Sequence, residues 1–204
     1  MPFSAATLPP TSPSTRRARR CSLAEPLPHP APQAGFEAPF ELLQACHERV
    51  QRTLALMARL QQHLHTVGCD DNARQAARDV LRYFDVAAPL HHQDEELHVF
   101  PPLLLGADAA LRTLVRQLMQ DHRDMEAAWV QARAALLAVA EDSTGTLALS
   151  PRQTQALDQF AVLYGQHIVH EEGLVYPAAQ AALSSTALQA MAQDMMQRRG
   201  VRAV

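Results

Sequence analysis

From residue 38 onward the chain carries apolar side chains at alternating three- and four-residue intervals, in long stretches separated by short breaks. That period is one face of an α-helix, so the apolar surface can be buried only by packing helix against helix. The breaks are legible as well. Pro39 suits a helix start, and the stretch it opens closes at Gly68. Asp70 or Asp71 can cap a second helix over about 72–99, stopped by Pro101. A third helix spans about 108–141, and Ser150 before Pro151 opens a fourth over about 151–175. A short fifth, about 185–199, ends at Gly200. The expected fold is all-α: an antiparallel up-down-up-down four-helix bundle with a short C-terminal fifth helix. Only 7 glycines in 204 residues argue in the same direction, against a β-rich or loop-rich chain.

Residues 1–36 are of another kind. They hold eight of the 14 prolines, Arg16, Arg17, Arg19 and Arg20, and a single acid, Glu25. Such a segment cannot bury enough apolar surface to offset its ordering entropy, so a disordered tail is expected, with the bundle over 37–204. No apolar stretch follows the Arg cluster, which argues against a secretory signal; an organelle transit peptide is the weaker reading. Beyond the tail, 14 Arg face 20 acids, so there is no basic stripe for a nucleic-acid backbone. Nor does any window approach the length of apolar run that a membrane span needs. Cys21, Cys46 and Cys69 are widely spaced, without a C-x-x-C pair. That usage fits a reducing compartment, hence the cytoplasm, with Cys46 and Cys69 as core fillers.

The histidines carry the chemistry. On the second helix Leu81, Phe84, Ala88, His91 and Glu95 form one stripe, which leaves His92 and Glu96 on a solvent face. Similar stripes place His47 with Leu43 and Val50, and His122 with Leu118 and Met125. The fourth stripe runs Ala156, Phe160, Leu163, His167, Glu171, Leu174. Counting residues to each turn at about 1.5 Å per residue puts all four imidazoles in one layer of an antiparallel bundle. Burying four imidazoles and two carboxylates without a partner would cost several kcal/mol each, and cations supply that partner. An internal echo makes the same choice: HHQDEELHVFP at 91–101 repeats as HIVHEEGLVYP at 167–177, pairing His91 with His167 and Glu95 with Glu171. It leaves His170 opposite Asp94, at the rim of the site. The expected ligands are His47, His91, Glu95, His122, His167 and Glu171. Imidazole with carboxylate suits iron or manganese, whereas structural zinc favours Cys and four ligands in total. The set fits two non-haem iron ions. If both Glu bridge, each ion receives two His and two carboxylate oxygens, and an oxo or hydroxo bridge still leaves room for a small molecule. His63, His65, His98 and His29 are expected to be dispensable.

These motifs, over about residues 38–180, resemble the hemerythrin-like (HHE cation-binding) domain family. The resemblance implies a four-helix bundle holding a di-iron centre that binds or senses O2 or NO. It implies a gas-binding protein rather than a classical enzyme, with no nucleic-acid or membrane partner. Oxygen-carrying members have H-x-x-x-H on the third helix; here HRDME places Glu126 there, as a seventh ligand, an acceptor for an imidazole N–H, or an exposed residue. The six-ligand set is more similar to bacterial di-iron proteins of iron–sulfur-cluster repair and nitrosative-stress defence. An enzyme-like role in that defence is therefore the alternative. Those proteins carry a Cys-bearing N-terminal module, where this tail has only Cys21.

Overall fold

The computed structural model describes residues 35–106 and 108–201, so the expectations for the tail, Cys21 and His29 lie outside the described residues. The described residues are all-α, and they form a helical bundle. Helix α1 is Pro39–Thr66. Helix α2 (71–105) joins Asp71–Arg82, Ala88–Asp94 and Phe100–Leu105 through π-helical turns at Tyr83–Ala87 and Glu95–Val99. Helix α3 is Ala109–Glu141. Helix α4 (151–182) joins Pro151–His170 and Tyr176–Ala182 through a π-helical turn at Glu171–Val175, and α5 is Ser185–Arg198. Helix α1 packs on α2 and α4, and α3 packs on α2 and α4.

The starts follow the sequence signals. Asp70 accepts from the Ala73 N–H at 2.9 Å, Asp108 from the Ala110 and Leu111 N–H groups, and Ser184 from Ala187. Ser150 and Gln153 form a reciprocal capping box, with Pro151 at the first helical position. Each such cap contributes about 1 kcal/mol by satisfying N–H groups that have no partner within the helix.

The stops differ from expectation. Pro101 does not end the second helix, which continues to Leu105, and the fourth continues past 175 to Ala182. A proline in a helix lacks its N–H and crowds the carbonyl four residues earlier. Here a π turn precedes each proline: the Phe100 N–H reaches the Glu95 carbonyl, and the Tyr176 N–H the Glu171 carbonyl. The wider turns let Pro101 and Pro177 follow without a break.

Each π turn also spends one extra residue, so a wheel drawn at 3.6 residues per turn falls out of phase beyond it. Leu174, expected in the core stripe, is therefore exposed, and Val175 takes the buried place. His92, expected on a solvent face, is buried as well, stacked on the His122 ring, while Ala88, His91 and Glu95 keep their places in the core stripe. Two apolar clusters result. One joins Val50, Met57, Phe84, Met125, Leu157 and Phe160; the other joins Phe40, Leu43, Phe100, Leu118, Tyr176 and, from α5, Met191 and Met195. Cys46 and Cys69 are buried and free, as expected of core fillers.

Candidate metal centre

The histidine layer lies where the two apolar clusters meet. Along α1, His47 falls between Leu43 of one cluster and Val50 of the other; along α3, His122 falls between Leu118 and Met125. His47, His91, His122 and His167 are each at most 3% exposed, and Glu95 and Glu171 are fully buried. All six expected residues come together. They form two groups whose ligand atoms lie within 4.8 Å of one another: His47, His91, Glu95 and Glu171, then Glu95, His122, His167 and Glu171.

Both carboxylates belong to both groups, and each divides its oxygens between them. Glu95 Oε1 is 3.5 Å from His91 Nε2 and 4.0 Å from His47 Nε2, while Oε2 is 3.5 Å from His122 Nε2. Glu171 Oε2 is 3.1 Å from His47 Nε2, while Oε1 is 2.9 Å from His167 Nε2 and 3.7 Å from His122 Nε2.

The outer ring nitrogens fix the tautomers. His47 Nδ1 donates to Glu172 and His122 Nδ1 to Glu96, both at 2.9 Å, and His167 Nδ1 donates to Asp121 at 3.4 Å. A carboxylate can only accept, so Nδ1 carries the proton and Nε2 is turned inward, as in metal-bound imidazoles. Glu96, expected on a solvent face, is thus exposed yet bonded to the site. His92 stacks on the His122 ring at a centroid distance of 4.0 Å and 8° between planes. Asp94, Glu96, Asp121, Glu172 and Tyr176 were not singled out by the stripes. The repeated Glu-Glu doublet and the aromatic before each proline were the available signals for three of them.

Other residues stand apart. Glu126 is exposed and belongs to neither group, which favours the third of its three readings. His170 is half-buried and also outside both groups. His98 pairs with Asp194 at 2.7 Å. His63 pairs with Asp70 at 2.9 Å at the α1–α2 connection, about 24 Å along α1 from His47 at the helical rise. Replacing His63 and His65 together by alanine is expected to leave metal content unchanged and to cost ~1 kcal/mol, the worth of one hydrogen bond. Metal analysis and chemical unfolding check this, and a loss of metal would refute the placement.

The bare layer is electrostatically incomplete. Glu95 Oε2 and both Glu171 oxygens are buried with only imidazole Nε2 atoms facing them, and His91 Nδ1 is buried without a partner. His122 Nε2 and His167 Nε2 face each other at 3.2 Å. Burial disfavours a charged imidazole, but Glu171 and Glu95 outweigh it, pushing His47 up to about 9 and His122 up to about 10. Burial, reinforced by the charge on Glu171, pushes Glu95 up. A hard or borderline cation would meet the inward nitrogens and the carboxylate oxygens at once, taking the imidazole lone pairs and the carboxylate charge together, and would leave only His91 Nδ1 without a partner.

The hemerythrin HHE cation binding domain matches residues 38–179. The chain belongs to the hemerythrin HHE cation-binding family. An uncharacterized protein of Haemophilus influenzae is 29% identical over 169 residues, covering 83% of this chain and 94% of the relative. This HHE domain therefore presents His/Glu groups fit for a metal, and the family's metal is non-haem and usually iron. No helix among the described residues is long and apolar enough to cross a membrane.

Metal uptake by this HHE domain carries a proton signature. At neutral pH His47 and His122 hold an extra proton in the bare layer, and both must release it to coordinate. Uptake is expected to release about two protons, so apparent affinity falls about 100-fold for each pH unit below neutrality. Calorimetry in buffers of different ionisation enthalpy checks the count, and release of none would contradict it.

Proposed function

We propose that His47, His91, His122, His167, Glu95 and Glu171 hold two iron ions, and that the centre binds or senses O2 or NO. The observation that supports it best is the division of each carboxylate, Glu95 and Glu171, between two His pairs. Each ion would then be offered two imidazoles and one oxygen from each of the two carboxylates. The pairwise packing of α1 to α4 and their short connections support the antiparallel up-down-up-down arrangement. Residues 37–204 are then the di-iron domain, and the protein works in the reducing cytoplasm.

Bound iron supplies a redox-active centre with a coordination position left for a small molecule. The chain's own residues hold and shield it. Glu96, Glu172 and Asp121 orient three imidazoles through Nδ1, and Phe100 and Tyr176 cover His122 and His47 with their rings. Beside His92 lies a cavity of about 40 Å³ lined by Phe84, Met125, Trp129, Phe160 and Tyr164. Its size and apolar walls suit a neutral molecule of a few atoms. The decisive test is metal analysis, then optical and Mössbauer spectra of the anaerobically reduced protein exposed to O2 and to NO. Two irons per chain and a spectral change that reverses when the gas is removed are expected. One iron, zinc alone, or irreversible oxidation without gas binding would refute the reading; the last would favour the enzyme-like role.

A further inference from the structure

The echo between 91–101 and 167–177 allows the two halves of the centre to be compared position by position. His47 donates through Nδ1 to Glu172, and His122 donates through Nδ1 to Glu96, both at 2.9 Å. After the π turn within each echo segment comes an aromatic ring: Tyr176 lies parallel to His47 at 5.4 Å and 8°, and Phe100 lies over His122 at 5.6 Å and 29°. The halves differ at His92 against Ile168 and at Asp94 against His170, and His167 Nδ1 bonds Asp121 where His91 Nδ1 has no partner. At the shared carboxylates they differ by one polar atom. Tyr176 carries a hydroxyl where Phe100 has none.

That hydroxyl lies inside the layer. Tyr176 is 1% exposed; its O–H donates to Glu95 Oε1 at 2.5 Å and its oxygen is 3.2 Å from His47 Nε2. Glu171, the counterpart of Glu95, meets only imidazole Nε2 atoms and has no hydroxyl on either oxygen. Glu95 Oε1 is also the oxygen that faces His47 and His91, so the donor acts on one half only. We propose that Tyr176 is a positioning residue that makes the two metal positions inequivalent. This rests on the two-ion reading above. A hydrogen bond to Oε1 draws electron density from that oxygen and fixes the carboxylate's rotation. The ion between His47 and His91 then meets a weaker oxygen donor than the ion between His122 and His167. A weaker anionic donor favours the lower oxidation state, so the two ions should differ in ease of oxidation.

The test is Mössbauer spectroscopy and redox titration of iron-loaded wild-type protein, Tyr176→Phe and Phe100→Tyr. In the wild type two resolved quadrupole doublets and two separated potentials are expected. Tyr176→Phe should keep two irons and narrow the difference between the two doublets. It should reduce but not abolish the separation of the potentials, since oxidation of one ion always raises the cost of oxidising its neighbour. Phe100→Tyr places a hydroxyl in the corresponding position of the other half and should also narrow the splitting; it keeps the idea testable if Tyr176→Phe does not fold. Fewer than two irons in the wild type would sink the two-ion reading itself. Two irons with a single doublet, or a splitting unchanged in Tyr176→Phe, would overturn this inference alone. A visible phenolate charge-transfer band in the wild type, or loss of one iron from Tyr176→Phe, would overturn it too, by making Tyr176 a ligand.

Discussion

Glu171→Ala is expected to empty both metal positions, whereas His91→Ala empties one. The asymmetry follows from sharing: His91 belongs to one group of donors, while Glu171 belongs to both and gives a different oxygen to each. Glu95→Ala should behave as Glu171→Ala does, because Glu95 Oε1 and Oε2 are divided in the same sense. Metal content per chain, measured after loading and desalting, should fall from two to near none for either Glu variant and to about one for His91→Ala. The helical circular dichroism should persist, since the apolar clusters on either side are untouched. A Glu variant that keeps one tightly bound ion, or a His91 variant that keeps none, would show that the carboxylates are not shared.

The second large effect concerns stability. Asp94 is fully buried one residue before Glu95, and its charge is met from α5 by Arg198 at 2.5 Å and by Arg199 at 2.6 Å. Arg198 also binds Asp194, itself the partner of His98. Replacing both arginines by alanine would leave a buried carboxylate without a cation, a defect of ~3–5 kcal/mol. For a chain of this size the midpoint of thermal unfolding should fall by about 10 °C. Adding Asp94→Ala to the double variant should recover part of the loss, because the unpaired charge goes with it. If the triple variant is no more stable than the double, the cost arises elsewhere in the α5 contact.

The six donors were legible in the sequence because metal ligands on a regular helix must share the core stripe, and the echo repeated the choice. The caps were legible for a similar reason: Asp70 and Ser150 act within three residues of themselves. The failures cluster at the π turns. Leu174 falls on the wrong side of a fixed period because that period cannot register one inserted residue, and Pro101 reads as a stop because the wider turn ahead of it leaves no compositional mark. Asp94 was out of reach for another reason. Its partners lie 104 and 105 residues away on a helix whose docking the local pattern does not specify. Tyr176 stood in the echo from the start, but a tyrosine opposite a phenylalanine reads as conservative until its hydroxyl is placed against Glu95.

The position of the polar layer has a consequence for how the molecule holds together. It separates two apolar clusters that are each built from parts of the same long helices, so at its waist the bundle is joined by helix backbone and by charge rather than by hydrophobic contact. That waist holds four imidazoles and two carboxylates, so whatever cooperativity joins the two ends passes through polar groups there. Ions held there would tie α1, α2, α3 and α4 together at one level, because donors from all four converge on it. The metal would then serve as a mechanical coupling between two half-bundles. An event at either end, such as the release of α5 from Asp94, would be transmitted along α2 to the centre only while the coupling is in place.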